Sequence, residues 1–198
     1  MNVAVNERRE VTGVFAGDLE AAHVVGSQFV AEHVTAFLDG PADIVITTSA
    51  GYPLDLTFYQ SVKAMTAAMP VVKDGGTMIV ASACAEGIGS PEFTRLMKET
   101  TSVEQFRARL SNPDFFAIDQ WQLQEMCKAL DKADVLYYTD GLDADAIRDL
   151  LVIPISSVEE GLRRAMERHG PDARIAVIPE GPYVLPRIRT KGQRRRRT

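Results

Sequence analysis

The sequence predicts an α/β protein: a three-layer, mostly parallel (Rossmann-like) sheet with helices on both faces and an N-terminal β-hairpin. Three observations predict it. Short β-branched or aromatic runs, Asp43 to Thr48, Thr77 to Ala81 and Val135 to Tyr138, have the continuous apolar character of strands covered on both faces. Stretches with helical apolar spacing separate them, and strands joined through helices form right-handed βαβ units with parallel neighbours. The first fifteen residues differ: Val3 and Val5, then Val11 and Phe15, alternate with other residues around Asn6-Glu7-Arg8-Arg9, the pattern of a hairpin.

In chain order, residues 2 to 6 and 10 to 15 are the hairpin strands. Gly17-Asp18 opens a helix with Asp18 as its N-cap. Ala22, Val25, Phe29, Val30, Val34 and Phe37 keep helical spacing until Asp39-Gly40-Pro41. The strand 43 to 48 follows, then a helix from about Leu56 to Met69 whose stripe of Phe58, Val62, Met65 and Met69 faces the core. Asp74-Gly75-Gly76 precedes the strand 77 to 81. Ser90 caps the next helix, with Pro91 at its first position. Further helices span 102 to 110 and 119 to 131, separated by Asn112-Pro113. The strand 135 to 138 comes next, a shorter one at 151 to 153, a helix capped by Ser157 and ending at Arg168, and a last strand at 174 to 178. Pro179, Gly181, Pro182 and Pro186 mark an irregular end. No repeat or linker divides residues 1 to 186, which read as one domain; residues 187 to 198 read as a basic, solvated tail.

Composition excludes several classes. With 45% hydrophobic and 25% charged residues, the 198-residue chain is neither disordered nor too small for a core. Two cysteines make no disulfide framework. No run of roughly 18 apolar residues exists for a membrane span, and the first residues lack the basic-then-apolar order of a secretion signal, so a cytoplasmic location is expected. Seven of the 22 basic residues lie at or beyond Arg187, leaving 15 against 27 acidic residues, so residues 1 to 186 carry about −12. Such a body is a poor nucleic-acid binder.

The segment from Thr47 to Lys63 stands out because it follows the carboxyl end of a buried strand, where open α/β sheets bind ligands. Gly51 permits a tight turn, Pro53 stiffens the loop and Asp55 can cap the next helix. Tyr59, Gln60 and Lys63 lie three and four residues apart and share a face distinct from the core stripe. A phenol, an amide and an ammonium near a helix start suit a carboxylate ligand; the same pattern also occurs on ordinary solvated helices. Gly87-Ile88-Gly89 has half the look of a phosphate loop, but lacks the third glycine of the dinucleotide fingerprint and the Gly-Lys-Ser/Thr of a P-loop. Trp121 is the only tryptophan; a lone tryptophan more often belongs to a core, while the glutamines around it suit an exposed or cleft position. His23, His33, His169, Cys84 and Cys127 show no metal-ligand spacing, and no nucleophile elbow exists.

These motifs resemble the C-terminal half of the nickel-pincer lactate racemase family. The residues that carry the resemblance are Thr48-Ser49-Ala50-Gly51-Tyr52-Pro53-Leu54-Asp55, Tyr59-Gln60-Ser61-Val62-Lys63-Ala64-Met65, Lys73-Asp74-Gly75-Gly76, Val14 to Asp18 with Ala21-Ala22-His23, and Asp119-Gln120-Trp121-Gln122. The resemblance covers most of residues 1 to 135. It implies a domain of a 2-hydroxy-acid racemase or epimerase that moves a hydride to and from a nickel-pincer nucleotide. It also implies that the acid/base histidines, the nickel ligands and the cofactor tether belong to an N-terminal domain, the expected partner alongside a small 2-hydroxy-acid substrate. Carried over by position, the substrate- or cofactor-contacting residues are Tyr59, Gln60, Lys63 and Trp121, with no catalytic acid or base and no metal ligand. The Arg-rich end is no part of the family's pattern. The competing expectation is a non-catalytic α/β module that binds a nucleotide or an acidic partner.

Overall fold

The computed structural model describes residues 1–190. Five parallel strands make the central sheet: β4 (Ala42–Thr48), β5 (Val72–Ala81), β6 (Ala133–Tyr138), β7 (Ile153–Pro154) and β8 (Ile175–Ile178), in the order β7-β6-β5-β4-β8. Helices α2 (Phe58–Ala68) and α5 (Gln120–Lys132), with α3 (Pro91–Lys98) and α4 (Val103–Leu110), cover one face, where Phe58, Met65, Phe93, Phe106, Leu123 and Met126 are fully buried. Among the described residues only α7 (Val158–His169) covers the other, against Ile44, Ile79 and Leu136. The expected three-layer α/β architecture is present, with unequal outer layers. A short helix, α6 (Ala144–Arg148), lies between β6 and β7 and was not read from the sequence.

The sheet order has a consequence for ligand sites. From β4 the chain moves strand by strand to β7, and after α7 it returns to the far side of β4 as β8. The reversal of direction makes the β4–β8 boundary the topological switch point, where such sheets usually bind ligands. Here the chain fills that crevice itself. A 3₁₀ turn at Gly181–Tyr183 packs over the end of β4, and a Cβ on Gly181 would lie 2.6 Å from Thr47 Oγ1 and 3.2 Å from Ala64 Cα. Beneath it the buried hydroxyls of Thr47 and Ser49 have no hydrogen-bond partner.

The short strand expected at 151 to 153 lies at Ile153–Pro154 instead, and three further elements depart from the sequence reading. The first helix, α1 (Leu19–Val34), stops before Thr35; residues Thr35–Leu38 form β3 and pair in parallel with β9 (Leu185–Ile188). Apolar periodicity could not separate these four residues from the helix, because pairing with a strand 150 residues away decides their conformation. Pro186 argued against a strand, but this ladder has only two members, so the missing N–H is tolerated. The fold therefore runs past residue 186: Arg187 and Ile188 belong to β9, Arg189 pairs with Asp39, and its guanidinium lies over Phe37. The remaining tail residues, Lys191 and Arg194 to Arg197, lie outside the described residues. Finally, β5 begins at Val72 rather than Thr77, because Lys73 to Gly76 bulge out of register with β4. Gly76 is pinned in that bulge, where a Cβ would meet Asp43 O and Lys73 O at 2.9 Å.

The hairpin strands β1 (Asn2–Val5) and β2 (Val11–Phe15) pair antiparallel, and α1 packs on one face of the ribbon, with Phe15 against Phe29 and over Gly26. Among the described residues no helix is long and apolar enough to cross a membrane.

Candidate functional site: the α2 face and its aromatic wall

The segment after β4 is held by backbone bonds to the segment after β5. Cys84 N–H donates to Asp55 O at 2.7 Å and Glu86 N–H to Leu56 O at 2.8 Å. Ala50 and Gly51 both take positive φ in the turn, and the Tyr52–Pro53 bond is cis. Asp55 does not cap α2. The N-cap is Thr57, whose side chain makes no capping bond, and the first helical amides are satisfied from outside: Phe58 N–H donates to Gly87 O at 3.0 Å and Tyr59 N–H to Ile88 O at 2.8 Å.

This pairing corrects the expectation that the start of α2 would help to hold an anion. The amides at the start of α2 are occupied, so they cannot also bind an anion. The Gly87–Gly89 loop turns the carbonyls of Gly87 and Ile88 toward α2 and so caps that helix, as a tight strand-to-helix turn does. Gly89, at φ +148°, lies where a Cβ would meet Tyr59 Cβ at 2.9 Å.

Gln60 and Lys63 come together as their spacing predicts. Lys63 Nζ donates to Gln60 Oε1 at 2.6 Å, and both residues are half-buried. The bond orients the amide: its oxygen is taken by the ammonium, so its N–H₂ group and the remaining ammonium protons are left as donors. Together they form a small, positively charged patch rich in donors.

Tyr59 does not join that patch. Its ring packs edge-on against Phe93 at 5.0 Å and against Trp121 at 6.1 Å, and its hydroxyl donates to Asp119 Oδ1 at 3.4 Å. Burial, and then the charge of Asp119, raise the phenol's pKa, so it stays protonated as the donor. Trp121 is 52% exposed. It therefore stands as a wall with one open face and no enclosed slot. The four side chains are thus two pairs on neighbouring surfaces: Gln60 with Lys63, and Tyr59 with Trp121.

Sequence reasoning missed the residues that hold this wall. Asp119, with φ +64°, accepts from Tyr59 and from the Ser90 hydroxyl at 3.0 Å, which also caps α3. Gln122, almost fully buried, donates to Tyr59 O at 2.5 Å. The glutamines around Trp121 were the signal, since a buried amide on a helix needs a partner. Below α2 lies a buried chain of hydroxyls. The Cys84 sulfur is 3.0 Å from Tyr137 Oη, which donates to Ser61 Oγ at 2.8 Å, which donates to Phe58 O at 2.7 Å. Burial and the neighbouring thiol push the Tyr137 phenol well above its usual pKa. Cys84 is fully buried. Cys127, buried as well, has its thiol pushed up to about 11 by burial. His169 bonds Thr77 Oγ1 at 2.9 Å, joining the end of α7 to β5. A groove of 630 Å³ runs between β3 and β8, lined by Phe37, Arg174 and Val177 among others, and none of the four predicted side chains borders it.

The model of the lactate racemase C-terminal domain matches residues 38–185. The chain belongs to the lactate racemase family. The lactate racemases of Thermoanaerobacterium thermosaccharolyticum and Lactiplantibacillus plantarum are each 36% identical to it, over 189 and 187 residues. The matched stretches cover 94% and 93% of this chain but 44% of either relative, so the chain spans less than half the length of these lactate racemases. The structure of the Thermoanaerobacterium thermosaccharolyticum lactate racemase apoprotein superposes with a TM-score of 0.86 at 38% identity, covering 94% of this chain and 45% of that one. A Thermotoga maritima protein, 13% identical with a TM-score of 0.58, shares the fold.

Proposed function

We propose that this lactate racemase-family domain supplies the carboxylate-holding wall of a 2-hydroxy-acid racemase or epimerase whose remaining catalytic groups belong to an N-terminal domain. The 2.6 Å bond from Lys63 to Gln60 carries the reading. It fixes an amide and an ammonium as adjacent donors, which is what a carboxylate accepts, and it places no base there. Tyr59 and Trp121 would bound the substrate laterally, held by Asp119 and Gln122. Among the described residues no three His, Cys, Asp or Glu side chains are placed to hold a metal, and an amide and a protonated amine are poor nickel ligands. The nickel-pincer nucleotide that the resemblance implies does not fit these residues as its holder; its metal and its tether belong elsewhere in a complete enzyme. A cytoplasmic location goes with this reading.

The experiment is a racemisation assay with lactate and other 2-hydroxy acids. One arm uses the 198-residue chain alone, and the other a two-domain chimera in which the chain replaces the matched segment of the Thermoanaerobacterium thermosaccharolyticum lactate racemase. Turnover in the chimera and none in the chain alone is expected. Turnover by the chain alone would overturn the division of labour.

A further inference from the structure

We infer that the outer face of the β1–β2 ribbon is the docking surface for the domain that precedes the C-terminal domain in lactate racemases. The inference rests on the two-domain reading above. In the ribbon's register Val3 lies opposite Val14 and Val5 opposite Val11, and with Val5 two residues from Val3 all four valines project to one side. Ala4, Gly13 and Phe15 project to the other side, toward α1. The valines are 49%, 59%, 62% and 58% exposed for Val3, Val5, Val11 and Val14, four apolar side chains on one strand face where β8 exposes two, Ile175 and Val177. A two-stranded ribbon is marginally stable by itself and needs packing on its apolar faces; α1 supplies one, and the second is bare. The helix repeats the signal. Leu19, Val24, Val25 and Val30 are 83%, 50%, 53% and 40% exposed while Ala22 and Gly26 face the ribbon, so α1 carries exposed apolar side chains away from the ribbon, among polar ones such as Glu20, Gln28 and Glu32.

The similarity to lactate racemases points to the occupant. The match to the family's C-terminal-domain model starts at residue 38, after the ribbon and α1. The lactate racemase of Thermoanaerobacterium thermosaccharolyticum nevertheless matches 94% of the chain, and residues 38 to 198 make up only 161 of its 198 residues, about 81%. Most of the ribbon–helix unit is therefore present in that relative, ahead of the stretch that corresponds to the C-terminal-domain match, in a protein whose larger part this chain does not match. A bare valine face on that unit fits burial against that part.

Hydrogen–deuterium exchange on the chain alone and on the chimera tests this. Amides of β1 and β2 should exchange at least tenfold more slowly in the chimera. A Val3→Lys/Val14→Lys pair should abolish that slowing while leaving the melting temperature of the chain alone unchanged. An Ile175→Lys/Val177→Lys pair on β8 should leave the slowing intact. Equal exchange in chain and chimera would overturn the inference, and so would protection that the β8 pair removes and the valine pair does not. A chimera that racemises lactate with its ribbon unprotected would overturn the docking surface and keep the functional reading. Light scattering on the chain alone gives a second arm that does not need the chimera to fold. A monomer that binds an apolar dye through the ribbon, lost with the valine pair, supports the inference; a dimer dispersed by the valine pair would make a second copy the occupant.

Discussion

Replacing Gly89 by alanine separates the two meanings of the glycine loop. Gly89 has φ +148°, and an added Cβ would meet Tyr59 Cβ at 2.9 Å and Phe93 Cδ1 at 3.3 Å. Both neighbours belong to packed aromatic side chains, so the methyl must displace them. Backbone strain and overpacking each cost about 1–3 kcal/mol, which puts the total at about 2 kcal/mol or more. Gly87 is the internal control: its φ is +83° and nothing lies within 4 Å of the added Cβ, so only strain of about 1 kcal/mol applies. At about 2–4 °C per kcal/mol for a chain of this size, Gly87→Ala should melt about 2–4 °C below the native protein and Gly89→Ala about 4–8 °C below. Tryptophan fluorescence supplies the second reading, because the only tryptophan, Trp121, sits edge-on to Tyr59. Its emission should shift in Gly89→Ala and stay unchanged in Gly87→Ala. Equal melting losses in the two variants, or unchanged emission in Gly89→Ala, would refute the packing role.

Three further outcomes follow from the same structure. Tyr137→Phe leaves the Cys84 thiol and Ser61 without the hydroxyl between them and should cost about 1–2 kcal/mol, read as a lower urea midpoint with unchanged m; an unchanged midpoint would show that the chain of hydroxyls contributes nothing. Ser49→Ala removes a fully buried hydroxyl that has no partner and should raise the melting temperature by about 2–4 °C, whereas a fall would mean that Ser49 has a partner. The Asp43 carboxyl is held below its ordinary pKa of 3.8, first by its bond with Lys73 and then by the Arg174 amide. A depressed folded-state pKa contributes stability that is complete above the unfolded pKa and is lost as pH falls through the folded value. The destabilisation caused by Asp43→Asn should therefore be full at pH 6 and shrink below about pH 4; a pH-independent difference would contradict the assignment.

Much of the fold was legible because its signals are local. The apolar runs at Ile44, Ile79 and Leu136 mark strands buried on both faces, and Ser90, Ser157 and Asp18 cap the helices that their sequences announce. What was not legible depends on distant partners. Thr35–Leu38 looks like the end of a helix until β9 is beside it, and the bulge at Lys73–Gly76 reads as a turn until β4 sets the register. The site divides in the same way. Gln60 and Lys63 meet because helix geometry alone brings positions three apart together. Tyr59 leaves them because Asp119, sixty residues on, takes its hydroxyl. No helical wheel contains that information. The occupied amides of α2 likewise depend on where the carbonyls of Gly87 and Ile88 point.

The central claim is that Lys63, oriented against Gln60, holds the carboxylate of a 2-hydroxy acid during racemisation. The direct measurement is kcat/KM for lactate in the chimera with Lys63→Ala and with Lys63→Arg. Loss of the ammonium contact should cost about 2–4 kcal/mol of transition-state stabilisation, roughly 30- to 1000-fold. Arginine should restore part of it, and the melting temperature should stay within a degree or so, because the side chain is only half-buried. An unchanged kcat/KM in Lys63→Ala, or a loss matched by unfolding, would contradict the claim.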